Sequence, residues 1–361
     1  MKKLMYLFIP ILFLIFTACE KNGIDNEEIK KQDVIVYLPD DLEEFDLQYE
    51  NQTKKLDFEW ESEDGFNYAI AFSLDEEMNE VKTVDVGSVN SKSLTHLELD
   101  NLLDELGVKT YHRGEIFWQI LGKKAKIEAV SEVRSIKLFR FFKPFIDPRD
   151  QEEYRVARVI DPLTGEYAIW LGDNLRAVIY SDGTPVNEVK FYEPKEGEDE
   201  SWTKKFGAYY TWNAVMKGNQ GAEEGEKIQG IAPVGWHIPT KVEWDFLINC
   251  CDQGNGPATE LKDKNLWNAS ATNVGTNSIN FNMAGAGYIW TLTEHSVIEE
   301  FMTSYFWTAT APRAGDIFPW DPPAENFPNQ AVTYGFNAND FGAALYPYDR
   351  TRGFSLRCVM D

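Results

Sequence analysis

The chain has 361 residues and a formal net charge of −24, with 43% hydrophobic and 14% aromatic residues. Such an acidic surface repels phosphate backbones and anionic lipid head groups, which argues against nucleic-acid binding and against a basic patch as the link to a membrane. The hydrophobic and aromatic content is typical of a globular protein, and the length predicts two domains.

The N-terminal residues predict secretion. Two lysines precede an apolar run over residues 4–16, which is shorter than the roughly 20 residues of a membrane-spanning helix. Small residues and Cys19 follow, so residues 1–18 are predicted to be a signal peptide. A cysteine at this point resembles the lipobox of bacterial lipoproteins. The resemblance implies lipidation of Cys19 as the only membrane link and a location at the outer membrane or cell surface, whereas the alternative is an ordinary secreted protein. Polar residues 19–32 predict a tether.

Residues 33–141 contain short β-type segments separated by turns. The predicted strands lie at 34–38, 56–60, 68–72, 81–86, 94–99, 115–121 and 133–139. Seven short strands favour an immunoglobulin-like sandwich. A helix over residues 100–107 interrupts them, with Asp100 as its predicted N-cap.

Three of these segments resemble the N-terminal domain of SusE-type lipoproteins from starch-utilisation systems. They contain Phe58-Glu59-Trp60, Tyr68-Ala69-Ile70-Ala71-Phe72-Ser73 and Ile116-Phe117-Trp118-Gln119-Ile120. The resemblance implies a spacer or docking module beside sugar-binding partners. Residues 142–153 contain two prolines and a charge run, which predict a linker to a second domain.

Residues 154–361 contain several motifs in a fixed order. They are the turn and strand over residues 161–177, Gly235-Trp236-His237-Ile238-Pro239-Thr240, Tyr305-Phe306-Trp307, and Arg352-Gly353-Phe354-Ser355-Leu356-Arg357-Cys358. Together they resemble the Fibrobacter succinogenes major paralogous domain, which is similar to the C-type-lectin-like fold. The resemblance implies a compact α+β domain on a surface lipoprotein. The whole chain is therefore expected to combine an all-β and an α+β domain.

A helix is predicted to begin at Thr240. Glu243 follows at the spacing of a capping box, in which both side chains bind free backbone N–H groups of the first turn. On this helix Trp244, Leu247 and Cys251 share one face with Ile248, so this face is predicted to pack on the core.

The lectin-like resemblance also implies a disulfide, because these folds commonly link a helix to the last strand. We predict a bond between Cys251 and Cys358, with Cys250 as the alternative partner. Three free buried thiols are the other alternative.

Sequence patterns of catalysis are missing. The four histidines lack metal-ligand spacing, and the chain has no Cys-x-x-Cys, P-loop or Gly-x-Ser-x-Gly motif. We therefore predict a protein that is not an enzyme and has no cofactor or metal. The third alternative is an enzyme on a lectin-like scaffold, because the many acidic residues leave open a carboxylate pair for glycoside hydrolysis. His237 is predicted to be a structural hydrogen-bonding residue.

Three tryptophans are the predicted ligand-binding residues. Trp320 is the first choice, because prolines stiffen its segment, and Trp290 and Trp267 follow. For each of them, core packing is the alternative. The predicted function is a surface lipoprotein that binds glycan or supports glycan uptake, with a polysaccharide or a surface protein as its partner. The alternative is a structural or adhesive, fimbria-associated protein that contacts another protein.

Overall fold

The computed structural model describes residues 30–361 except 48, 62, 141–142, 199, 224, 253, 255, 269, 294–295 and 312–328. The fold is mostly β, with 37% strand and 13% helix. Two compact units are present. The first comprises the described residues up to Glu44 with Lys55–Leu94 and Glu115–Lys137, and the second comprises Phe45–Lys54, Thr95–Gly114 and Leu138–Asp361. Within the described ranges, every helix is too short or too polar to span a lipid bilayer.

The N-terminal elements, in chain order, are β1 (Lys30–Val34), β2 (Val36–Leu38), β3 (Glu43–Asp46), a 3-10 turn (Tyr49–Asn51), β4 (Lys55–Trp60), β5 (Asn67–Ser73), β6 (Lys82–Gly87), β7 (Ser91–Thr95), α1 (His96–Glu105), β8 (Arg113–Lys124), β9 (Ile127–Ser131) and β10 (Arg134–Phe139). One sheet has the order β1-β9-β8-β10-β3, with β5 on β8 and β6 on β5, and β2-β4-β7 form a second sheet. Along β4, Phe58 and Trp60 are buried while Asp57 and Glu59 are exposed, as the period of two predicts.

Helix α1 begins earlier than predicted. Thr95 is its N-cap and forms a capping box with Glu98, so the predicted strand over 94–99 and the predicted N-cap at Asp100 are wrong. This box binds backbone N–H groups of the first turn through both side chains. Asp100 lies inside the helix, where it is buried and accepts two hydrogen bonds of 3.1 Å from the Arg140 guanidinium.

The C-terminal elements, in chain order, are β11 (Phe145–Ile146), β12 (Glu153–Tyr154), β13 (Val156–Ile160), β14 (Tyr167–Leu171), β15 (Val189–Phe191), α2 (Ser201–Phe206), β16 (Ala208–Tyr210), α3 (Trp212–Met216), β17 (Trp236–His237), α4 (Lys241–Cys251), α5 (Pro257–Leu261), β18 (Thr303–Trp307), β19 (Gln330–Asn337), β20 (Ala344–Asp349) and β21 (Val359–Met360). The two larger sheets have the orders β13-β14-β21-β17 and β18-β19-β20.

Helix α4 confirms the predicted capping box. The Thr240 hydroxyl accepts the Glu243 N–H, and the Glu243 carboxylate accepts the Thr240 N–H at 2.8 Å. The predicted packing face is also present, because Trp244, Leu247 and Cys251 are buried. This face joins a core cluster with Trp170, Phe281 and Phe306.

The predicted disulfide is wrong, because Cys250, Cys251 and Cys358 are free thiols in the structure. Cys251 lies in the core cluster of α4, as does Val359 of β21. Cys358 precedes Val359 in an extended segment and lies in a different core cluster, so its side chain is on the opposite side. Burial raises the pKa of the Cys251 thiol to about 12 and also raises the pKa of Cys358, so neither forms a thiolate readily.

The predicted connecting segments contain regular structure. Strand β1 begins at Lys30, within the range predicted as a tether, and pairs in parallel with β9. The range 142–153 contains β11 and the first residue of β12, and these strands pair with each other. Between them, the Arg149 guanidinium binds the buried Asp147 carboxylate at 2.6 Å and the Ile231 carbonyl at 2.8 Å. These contacts fix the segment within the second unit.

Candidate functional site

The three-stranded sheet β18-β19-β20 has two faces of different chemistry. Side chains alternate along a strand, and residues directly opposite each other lie on the same face. The inner face carries Phe306, Tyr334 and Phe336, whose ring centroids lie 5.2, 5.5 and 6.1 Å from the ring of Trp244 in α4. The Tyr334 hydroxyl donates to the Asp245 carboxylate of the same helix. This face is part of the core.

The outer face carries tyrosines beside a glycine. Tyr305 of β18 lies opposite Gly335 of β19. Tyr346 and Tyr348 are two residues apart in β20, so both side chains lie on the same face as Tyr305. A Cβ atom added to Gly335 would lie 2.6 Å from the Tyr346 ring and 2.7 Å from the Tyr305 ring. Gly335 therefore allows the two rings to approach the central strand.

Tyr288 and Trp290 extend this face. The Tyr288 ring lies 5.5 Å from the Tyr305 ring in an edge-to-face arrangement. Ile289, which lies between them in the sequence, bridges to Gly353 and is buried, whereas Tyr288 is partly exposed and Trp290 is exposed. Arg352 lies close to both Tyr288 and Trp290. We define the tyrosine face as the set Tyr288, Trp290, Tyr305, Tyr346 and Tyr348.

The phenol rings of this face pack closely. The Tyr305 ring lies 5.2 Å from the Tyr348 ring and 5.9 Å from the Tyr346 ring. Burial and a hydrogen bond with Tyr348 raise the pKa of Tyr305, and burial raises the pKa of Tyr288 and Tyr346. A neutral phenol can both donate and accept a hydrogen bond, so the half-buried rings combine apolar area with polar atoms.

Trp290 carries the exposed indole of the tyrosine face. Its side chain is 46% exposed. The guanidinium carbon of Arg352 lies 3.2 Å from its ring centroid, and Nη1 of Arg352 donates to the Trp290 carbonyl at 2.7 Å. The cation–π contact covers part of the indole and fixes its orientation. The exposed remainder is therefore presented to a ligand at a low cost in side-chain entropy.

A groove of 370 Å³ adjoins the tyrosine face. Its lining includes Tyr305, Tyr346, Thr303, Asn337, Asp340 and Phe341. Among the described residues that line it, Asp340 is the only one with a charged side chain. Thr303 is 5% exposed, and its hydroxyl has no hydrogen-bond partner in the described part of the chain. The groove thus combines aromatic walls with one carboxylate and one unsatisfied hydroxyl.

Lys262 holds the turn that forms one wall of this groove. Its fully buried Nζ donates to the backbone carbonyls of Asn337 at 2.7 Å, Ala338 at 3.3 Å and Asp340 at 2.9 Å. The Asn273 amide also donates to the Asp340 carbonyl, at 2.8 Å. Burial lowers the pKa of Lys262 to about 8. The turn is therefore organised before any ligand arrives.

The structure brings only one of the predicted ligand residues to this site. Trp290 belongs to the tyrosine face, whereas Trp267 is 8% exposed and donates its indole N–H to the Met283 carbonyl at 2.7 Å. Trp267 thus has no free face for a sugar and is removed from the set. Trp320 and Cys19 lie outside the described residues. The sequence prediction missed the four tyrosines, although Tyr346-Pro347-Tyr348 and Tyr288-Ile289-Trp290 have the spacing of aromatic residues on one strand face.

His237 has a structural environment. Its Nδ1 lies 2.8 Å from the Asp361 carboxylate and its Nε2 lies 2.6 Å from the Glu243 carboxylate, and the residue is 1% exposed. Burial opposes ionisation of Glu243, but hydrogen bonds from His237 and Thr240 hold the pKa of Glu243 below its usual value. Both imidazole nitrogens are occupied, so the ring links α4 to Asp361. In the described ranges, no three His, Cys, Asp or Glu side chains are grouped to hold a metal ion.

The comparison with protein families gives one match. Residues 166–360 match the family described as the Fibrobacter succinogenes major domain, and this range includes α4, the tyrosine face and the groove. No curated protein and no solved structure matches the chain. Because the match covers more than half of the 361 residues, the chain belongs to the Fibrobacter succinogenes major domain family.

Proposed function

We propose that this protein is a non-catalytic surface lipoprotein that binds a polysaccharide on its tyrosine face. The observation that carries the proposal is the tyrosine face, which joins four partly exposed tyrosines on and beside the sheet β18-β19-β20 to the exposed indole of Trp290. Sugar rings present apolar C–H groups on their faces and hydroxyls at their rims. Tyrosine and tryptophan offer a matching apolar ring with a polar atom at its edge.

The rigidity of the face supports binding. Tyr305 contacts Tyr288, Tyr346 and Tyr348 through its ring, and Arg352 fixes Trp290. Side chains that are already ordered lose little entropy when a ligand binds, so more of the contact energy contributes to affinity.

The proposal includes the architecture and the location of the protein. Residues 33–141 are proposed to form an immunoglobulin-like, SusE-like spacer, and residues 154–361 a C-type-lectin-like domain. The apolar segment before Cys19 supports lipidation of that cysteine at the outer membrane or cell surface. A lipid anchor would keep the protein at the cell surface, where a polysaccharide can reach it.

The test is binding of the mature full chain to a panel of soluble polysaccharides by affinity electrophoresis and calorimetry. We expect binding to at least one polymer, and about a tenfold loss of affinity for Trp290→Ala, as for a residue central to an interface. Tyr37→Ala is the matched control, because Tyr37 is 52% exposed in β2 and lies outside the tyrosine face. Retention of full affinity by both Trp290→Ala and Tyr346→Ala would contradict the proposal.

A further inference from the structure

We propose that the groove beside the tyrosine face is the specificity subsite for one uncharged sugar unit of the bound polysaccharide, with Thr303 and Asp340 as its polar contacts. This inference rests on the proposed function and adds the charge class of the ligand. It follows from the shape of the groove, the unsatisfied hydroxyl on its floor and the sign of its charge.

Thr303 supplies the first observation. A buried hydroxyl without a partner costs free energy, so such groups in proteins are normally hydrogen-bonded. Thr303 lies opposite Asn337 in the sheet, on the same face as Tyr305, and belongs to the lining of the groove. Its hydroxyl oxygen is closed to solvent, so a sugar hydroxyl supplies the missing partner when the Thr303 side chain turns this oxygen into the groove. Thr303 therefore favours a polar, hydroxyl-bearing ligand over an apolar one.

Asp340 supplies the second observation. The donors that hold its turn, Lys262 and Asn273, bind the backbone carbonyl of Asp340 rather than its carboxylate. An ionised carboxylate accepts hydrogen bonds from sugar hydroxyls and repels a uronate or a sulfate. No lysine or arginine side chain lines the described groove; the Lys262 ammonium lies behind the turn, 2.9 Å from the Asp340 carbonyl, and offsets only part of this repulsion. The groove therefore selects uncharged units over acidic ones.

The dimensions agree with one sugar unit. The cavity volume of 370 Å³ lies near the lower end of the range of about 300–1,000 Å³ for small-molecule sites. Tyr305 and Tyr346 belong both to the groove and to the tyrosine face, so a chain can place one unit in the groove and its neighbours on the aromatic rings.

The experiment compares neutral and acidic polymers with the mature full chain. Amylopectin, xyloglucan and galactomannan are the neutral probes, and polygalacturonate, alginate and chondroitin sulfate are the acidic ones. We expect at least tenfold tighter binding to the best neutral polymer than to any acidic polymer. Asp340→Asn is expected to reduce this preference, because it removes the negative charge from an exposed position.

The variants at Thr303 test the hydroxyl. Thr303→Val keeps the shape of the side chain and is expected to weaken neutral-polymer binding about fivefold, the value of one net hydrogen bond. Thr303→Ser keeps the hydroxyl and is expected to bind as the unmodified protein does. Ser304→Ala is the matched control: Ser304 is also buried with an unsatisfied hydroxyl, but it lies on the inner face. Its affinity is expected to stay unchanged.

Two outcomes would overturn the inference while the proposed function stands. In the first, Thr303→Val binds as tightly as the unmodified protein while Trp290→Ala loses affinity. In the second, the protein prefers acidic polymers and Trp290→Ala still weakens their binding. If the protein binds none of the polymers, the proposed function and this inference both fail.

Discussion

The inner and outer faces of β18-β19-β20 use aromatic residues in opposite ways. On the inner face, Phe306, Tyr334 and Phe336 are buried against Trp244. On the outer face, Tyr305 and Tyr346 are half-exposed beside Gly335. The same strands thus carry a fully buried aromatic cluster on one side and a partly exposed one, which packs along the edge of a second core cluster, on the other.

The difference lies in how each face satisfies its polar atoms. The Trp244 indole N–H has no partner among the described residues, a cost that the inner face offsets by burying a large apolar area. The outer phenols are partly open to solvent and can exchange water for ligand hydroxyls. We therefore expect inner-face substitutions to reduce stability and outer-face substitutions to reduce affinity.

The largest expected effect is that of Trp244→Ala. Removing this buried indole leaves a cavity among five aromatic rings and should lower the free energy of unfolding by about 3–5 kcal/mol. Urea denaturation of the variant and the unmodified protein measures the difference. A loss below 1 kcal/mol would show that the inner face is not the main core contact of α4.

A smaller effect is expected for Glu243→Gln at the start of α4. It replaces charge-assisted hydrogen bonds to His237 and Thr240 with neutral ones and should cost about 2 kcal/mol at pH 7. The folded pKa of Glu243 is lowered, so its stabilisation is present above pH 4.5 and is lost as the pH falls below that value. Unfolding measured from pH 7 to pH 3 should therefore show the two proteins converging. A pH-independent difference would contradict this account.

Gly335→Ala should slightly reduce both the stability of the protein and its affinity for polysaccharide. The added methyl group would push the Tyr305 and Tyr346 rings apart, at about 1 kcal/mol of stability for mild overpacking. Because both rings belong to the groove and the tyrosine face, polysaccharide affinity should also fall. Calorimetric titration together with thermal unfolding separates the two effects. Unchanged affinity would mean that the ring positions are not critical for binding.

The smallest stability effect is expected for Trp290→Ala, whose indole is largely outside the core. The free energy of unfolding should change by less than about 0.5 kcal/mol, although the affinity should fall about tenfold. The same urea experiment as for Trp244→Ala gives the comparison. A destabilisation as large as that of Trp244→Ala would show that both faces contribute equally to the free energy of unfolding.

The sequence predicted a helix correctly where both residues of its capping box were recognised. Thr240 and Glu243 gave the correct start of α4, and its buried face followed from the helical period. The same spacing occurs at Thr95 and Glu98, but the apolar residues around Leu94 favoured a longer strand and hid it. Capping boxes are therefore more reliable here than apolar runs.

The tyrosine face could not be predicted, because the tyrosines of β18 and β20 meet only through the sheet register. Tyr305 and Tyr346 are on different strands separated by β19, and Tyr288 reaches them from outside the sheet. Lys262 gives no sequence signal either, since its partners are carbonyl groups more than 70 positions away. The disulfide prediction failed for a related reason. Neighbouring residues of an extended segment point to opposite sides, and here Val359, not Cys358, packs in the core cluster of α4.

The way Lys262 and Asn273 hold the groove turn has a consequence for how this domain can diversify. Both donate to backbone carbonyls, and every amino acid carries a carbonyl. Substitutions at Asp340 or Phe341 can therefore change the lining of the groove while these bonds keep the turn in place. A copy of this domain can change the chemistry of its groove by mutating its turn, provided that it keeps its buried lysine.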